Sequence, residues 1–236
     1  MQRILDELTG KLRKVYGEDL VSLVLYGSAA VGDHAGRFSD INILCVLRQV
    51  TPRELEAAEP VFRWWREKEN PAPLLLSFDE VRTSTDCFPM EFHDIKERHR
   101  ILYGEDVVAG LEIDDSFYRA QVEYQLRAMV LRLRQKGAGV LQDRDLLVRL
   151  LADSVSTFCV LTRHALRLCG FEAPFPKRDI VGQASTSFGL DASGFLSLLD
   201  FRDGRIKARE LKPRACYEQY LSQVQIVVDA VDRLDK

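Results

Sequence analysis

The residues best able to do chemistry are gathered between positions 24 and 46, VLYGSAAVGDHAGRFSDINILCV. An apolar run ends in Gly27 and Ser28, eleven residues intervene, and Asp40-Ile41-Asn42 opens a second apolar run. Glycine lets a backbone turn sharply out of a strand and come close to a ligand. Amides at the start of the following turn, with the Ser28 hydroxyl, then suit the oxygens of a phosphate. Residues two apart on a strand point to the same side, so Asp40 and Asn42 share a face. Two carboxylates in those positions would hold Mg²⁺, a hard cation selected by oxygen ligands and negative charge. Asp40 brings both. Asn42 brings an amide oxygen and no charge.

A third oxygen ligand is sought on a later strand, and CFPMEFHDI (87–95) alternates in twos. Phe88, Met90 and Phe92 fall on one side, with Pro89, Glu91 and His93 on the other. Glu91 is therefore expected to be the third acid, as metal ligand or as general base. His93 is expected to face the same way and Asp94 the opposite way. Within the motif loop, Arg37 is a candidate triphosphate contact and His34 lies close by. Plainer readings stand beside these. Asp40 would then end a loop and Ser28 would cap a helix. Asn42 would be a hydrogen-bonded remnant, Glu91 an exposed edge acid and His93 a satisfied core histidine.

The elements that must position these residues follow from periodicity. Ile4, Leu5, Leu8, Leu12 and Val15 have the spacing of a helix with one buried face. DLVSLVLYG and DINILCVL are apolar, β-branched runs that read as buried strands. Between 51 and 69, Thr51, Pro52 and Glu54 form the start of a capped helix. Trp64 and Trp65 are neighbours on it and cannot share a face. APLLLSF is a short strand, DEVRTSTD a connector, and ILYGED an extended piece ending in a turn. From about Asp115 onward every segment repeats apolar residues at helical spacing, and no strand is expected. Residues 1–112 are thus expected to form an α+β domain around a small mixed sheet, and residues 113–236 an all-α helical bundle. In the bundle, Asp153, Lys177, Arg178 and Tyr220 are candidates to line a substrate cleft, with solvated or core positions as the plain alternative.

Composition narrows the function. A net charge of −3, spread along the chain, argues against a protein devoted to non-specific duplex binding. Two short basic runs, from Arg132 and from Arg205, read as solvated faces. Five scattered cysteines with no CxxC pair give neither a zinc site nor a disulfide framework, so a reduced, cytoplasmic protein is expected. No apolar run approaches the roughly 20 residues of a membrane span.

Strand, Gly-Ser, eleven-residue gap, Ser-Asp-Ile-Asn and strand together resemble the signature of the DNA polymerase beta-like nucleotidyltransferase superfamily. Within it, the chain is most similar to small bacterial enzymes such as aminoglycoside adenylyltransferases, which also carry a C-terminal helical bundle. That resemblance implies transfer of a nucleoside monophosphate from ATP or another nucleoside triphosphate to a hydroxyl. The acceptor, whether small molecule, protein or RNA end, is left open, as is a homo-oligomeric state. It implies Mg²⁺ on Asp40, Asn42 and Glu91, with Gly27, Ser28 and Arg37 on the nucleotide and Asp40 and Glu91 catalytic. The chain departs from the pattern at Asn42, where a second acid is expected. A nucleotide-binding or regulatory module with impaired catalysis is therefore the alternative. An RNase half of the HEPN kind is disfavoured, because His164 is the only bundle histidine and no arginine stands at 157–159.

Overall fold

In the computed structural model, residues 1–31 and 41–234 are described. Contacts divide the chain into two units, Met1–Phe117 and Tyr118–Lys236.

The first unit is built on a four-stranded sheet of β1 (Leu20–Tyr26), β2 (Asn42–Leu47), β3 (Leu74–Ser77) and β4 (His99–Gly104), in the order β3-β2-β1-β4. β1 pairs antiparallel with β2 and β4, while β3 lies parallel to β2, so the sheet is mixed. Both motif runs are the central strands, which explains their almost unbroken apolar sequence: each buries both faces.

Alternation sends Leu23, Leu25, Ile43, Cys45 and Leu47 to one face. There they meet α1 (Gln2–Tyr16), through Leu5, Leu8 and Leu12, and α2 (Pro52–Glu67), through Ala58, Val61 and Trp65. The start of α2 is fixed as its sequence predicts: the Arg53 amide donates to the Thr51 hydroxyl at 3.3 Å, and the Thr51 amide donates to the Glu54 carboxylate at 3.0 Å. Trp65 is fully buried and donates its indole N–H to the Pro71 carbonyl at 2.8 Å. Its neighbour Trp64 is only partly buried, with the Lys11 ammonium 4.9 Å from its ring centre.

Val24, Leu44 and Val46 point to the other face. They are covered by Val81 of α3 (Phe78–Thr83), by Phe92 and Ile95 of α4 (Pro89–Glu97), and by Val108 and Leu111. Here the structure corrects two expectations. The connector after β3 contains α3, capped by Ser77 with Glu80 at its third position. The expected strand at 87–95 is helix α4. Pro89 takes the first helical position, where its missing N–H costs nothing. Phe92 and Ile95, three residues apart, then bury together against the sheet; Phe88, outside the helix, is 46% exposed.

The described elements of the second unit are all helical: α5 (Tyr118–Ala138), α6 (Arg144–Leu168), α7 (Lys177–Phe188), α8 (Ser193–Arg202) and α9 (Pro213–Asp232), with a 3-10 turn at Ala208–Glu210. α6 is central and touches the other four. Phe158 of α6 stacks on Phe195 of α8 with ring centres 4.1 Å apart, and Tyr220 of α9 packs beside both. Among the described residues, no helix is long and apolar enough to cross a membrane.

Candidate active site

The site is built where β1 ends. Tyr26, its last residue, is followed by Gly27, whose φ of +75° is a backbone state that residues with a side chain rarely adopt. The chain then makes a single 3-10 turn over Gly27–Val31. The Gly27 amide donates to the Arg98 carbonyl at 3.1 Å, which ties this turn to the chain between α4 and β4.

Asn42 opens β2 directly across from Tyr26. Having the parity of Leu44 and Val46, it lies on the sheet face that α4 covers. A Cβ at Gly27 would stand 3.3 Å from the Asn42 amide nitrogen, tighter than side-chain carbons normally approach. Glycine therefore keeps the space beside Asn42 open, in addition to permitting the turn.

Glu91 is exposed in the first turn of α4, and Asp94, half-buried, follows three residues later. Residues three apart on a helix are neighbours on its surface, so the helix puts Asp94 beside Glu91 rather than opposite it. The Tyr26 phenol registers both. Its pKa is pushed up to about 12, first by burial and then by the negative charges of Glu91 and Asp94. The helix that carries Glu91 and Asp94 covers the sheet face to which Asn42 belongs.

The remaining expected residues fall out differently. Asp40, Arg37 and His34 lie outside the described residues, as does the Ser28 side chain. His93 does not share a face with Glu91. It is buried, and its Nε2 stands 2.6 Å from Asp115 Oδ1; beside it Lys96 donates to the Leu111 carbonyl, also at 2.6 Å. Both contacts fasten the segment after β4 to α4, a structural use. In the helical unit, Asp153 is exposed and stands 3.8 Å from Arg149. Lys177 donates to Ser156 at 3.0 Å, and Arg178 is held by Asp200 at 2.7 Å and Asp203 at 3.0 Å. Tyr220 is buried and accepts from the Ser154 hydroxyl at 3.1 Å. His164 is buried too, with the Tyr118 hydroxyl 2.7 Å from its Nδ1.

Among the described residues, no three His, Cys, Asp or Glu side chains form a cluster able to hold a metal. In kind, the Asn42 amide oxygen and the Glu91 and Asp94 carboxylates are oxygen donors of the sort Mg²⁺ takes.

Over nearly its whole length the chain superposes on a solved structure, spectinomycin adenyltransferase AAD(9) from Enterococcus faecialis with ATP and spectinomycin. The superposition covers 93% of this chain and 98% of that one, with a TM-score of 0.61 and 14% identity. The chain has a nucleotidyltransferase-like fold. In sequence, the chain is also similar to a Methanocaldococcus jannaschii protein named "Putative protein adenylyltransferase", with 34% identity over 56 residues. That match spans 24% of this chain and 37% of the relative's length. No family profile matches the chain.

Sequence reasoning put Asp94 on the face opposite Glu91, where the helix makes them neighbours. The signal for Asp94 was Pro89: a proline at a helix start converts the two-residue alternation of 87–95 into a helical pattern with 91 and 94 adjacent.

Proposed function

We propose that this chain is a nucleotidyltransferase that moves a nucleoside monophosphate, AMP from ATP in the first instance, to a hydroxyl acceptor with Mg²⁺. The observation that supports this reading most is the Gly27 turn directly beside Asn42 at the end of β1 and β2, on a sheet face covered by the helix that carries Glu91. Two similarities support it: the relative and the superposed structure are both named as adenylyl-transferring proteins, and the latter was solved with ATP.

The amides after Gly27, with the Ser28 hydroxyl, would hold the β and γ phosphates, and Arg37 would meet the triphosphate. Asp40, Asn42 and Glu91 would hold Mg²⁺, which supplies charge neutralisation to the triphosphate and the departing pyrophosphate. Glu91, exposed on α4, would also take the proton of the acceptor hydroxyl. The acceptor oxygen forms its bond to the α phosphorus as the bond to the bridging oxygen of the β phosphate breaks, and pyrophosphate leaves. We assign recognition of the acceptor, a small molecule, protein or RNA hydroxyl, to the helical domain of residues 113–236.

The test follows pyrophosphate release from ATP and Mg²⁺ with a panel of hydroxyl acceptors, including aminoglycosides. Release that depends on one acceptor and disappears in Asp40→Asn is the expected result. Asn42 favours one second reading, a nucleotide-binding module with weakened turnover, because an amide brings no charge to the metal. ATP binding without release for every acceptor establishes that reading in place of the first.

A further inference from the structure

We propose that the end of the helical unit where α5 stops and α6 and α9 begin is a binding surface for single-stranded nucleic acid. In sequence the basic runs from Arg132 and from Arg205 lie far apart, and either one alone reads as a solvated face. The fold joins them. The Tyr217 hydroxyl, in the second turn of α9, donates to the Leu133 carbonyl at 2.9 Å, between Arg132 and Arg134. Gly137 leaves the space that the Tyr217 ring fills, which brings the end of α5, with Lys136, onto the start of α9. On α6, the Arg144 side chain donates to the carbonyls of Ala208 and Leu211 at 2.7 and 3.0 Å. Those bonds hold the segment of Lys207, Arg209 and Lys212 against the start of that helix.

The result is a concentration of positive charge that the chain as a whole does not have. Residues 132–145 and 207–218 hold eight basic and four acidic side chains, in a chain of net charge −3. All eight basic residues are exposed. Among the described residues, only Arg214 of the eight has a carboxylate partner, Glu218 at 3.6 Å. Arg144 is held by carbonyls, which leave its charge in place. Two of the acids are turned to backbone: Asp143 accepts from the amides of Asp145 and Leu146 at 3.0 and 2.9 Å, and Glu210 from the Lys207 amide at 2.7 Å. Arg205 belongs elsewhere, 3.6 Å from both Asp200 and Asp203. Exposed cations gathered in this way match a phosphate backbone.

A cavity of about 500 Å³ opens among these charges, lined by Leu141, Leu147 and Pro213 together with Arg144, Lys212 and Arg214. Its size is that of pockets for small organic groups, roughly 300–1,000 Å³. Apolar walls beside cations fit a flat base joined to phosphates, and guanidinium planes stack on unpaired bases. A duplex keeps its bases stacked inside, and an acidic polypeptide supplies charge without a base. A single strand offers both.

The test measures fluorescence anisotropy of a labelled oligouridine RNA, a DNA strand of matching length, a duplex, and polyglutamate. Both single strands should bind, and the ratio of RNA to DNA affinity shows which sugar is preferred. The logarithm of affinity should fall with the logarithm of salt at a slope of about −2 to −3, as for three or four phosphates at about −0.7 each. Lys136→Glu and Lys212→Glu, one from each run, should each weaken binding severalfold and together by about tenfold or more. Arg53→Glu on α2, which changes the net charge equally, should leave binding unmoved. Melting temperatures report whether each variant is folded, and the same positions as Gln carry the test if reversed charge upsets a helix end. Three results overturn the proposal: binding of neither single strand, binding that the double variant leaves intact, or a duplex or polyglutamate bound as tightly as the single strands. The nucleotidyltransferase reading is tested separately, by pyrophosphate release, and survives any of them.

Discussion

The two faces of the sheet are made by alternate residues of the same two strands, yet they are closed in different ways. On the face of Leu23, Leu25, Ile43 and Cys45, two helices of 15 and 16 residues lay down long apolar rows. Polar groups there serve mainly to fix helix ends and ring positions, as Thr51, Glu54 and the Trp65 indole do. On the face of Val24, Leu44 and Val46, the cover is two helices of 6 and 9 residues and a segment around Val108. In that shorter cover Glu91 is exposed and Asp94 half-buried, and Asn42 belongs to the same face, across from Tyr26. One face is closed by long apolar rows, and the other by short helices, one of which carries Glu91 and Asp94.

Four substitutions probe that division, from the largest expected effect to the smallest. Trp65→Ala empties the centre of the closed face and should cost about 3–5 kcal/mol in denaturant unfolding, with nucleotide affinity of the folded protein unchanged. Glu91→Gln, on the other face, should do the reverse. Turnover falls about a hundredfold while the melting temperature holds, since the side chain is exposed. Gly27→Ala should affect both properties. The positive φ costs about 1–2 kcal/mol, and the new methyl presses on Asn42, so analogue binding weakens as unfolding becomes easier.

Thr51→Ala should cost about 1 kcal/mol through loss of a helix cap. It also has a pH signature. Its hydroxyl and amide hydrogen bonds hold the Glu54 carboxyl below its ordinary value of 4.5, so the folded state gains stability above that value and loses it as pH falls through the depressed one. Removing the Thr51 hydroxyl should flatten that acid limb of a stability-against-pH curve. A Thr51→Ala variant that instead loses nucleotide affinity would mean that the two faces are not independent.

Much of this was legible in the residues. The central strands declared themselves by apolar runs bounded by glycine and aspartate, and the α2 cap by Thr51, Pro52 and Glu54. The long helices of the second unit were plain from their spacing. What misled was 87–95, where Phe88, Met90 and Phe92 fit a period of two while Phe92 and Ile95 fit a helix equally well. A stretch that short does not settle its own period. The choice is made by the face of Val24, Leu44 and Val46, which accepts Phe92 and Ile95 together. The position of Asp94 relative to Glu91 was hidden for the same reason, because it depends on which way that segment winds. The parallel pairing of β3 with β2 was equally a matter of long-range contact.

The bond from the Gly27 amide to the Arg98 carbonyl has a consequence for donor supply. A turn that receives an anion works by offering several N–H groups at once, and here the first is already engaged by the protein. Any phosphate oxygen held by this turn must therefore be met from Ser28 onward. On the proposed function, the ligand's seat would begin one residue further along the chain than the glycine that makes the bend.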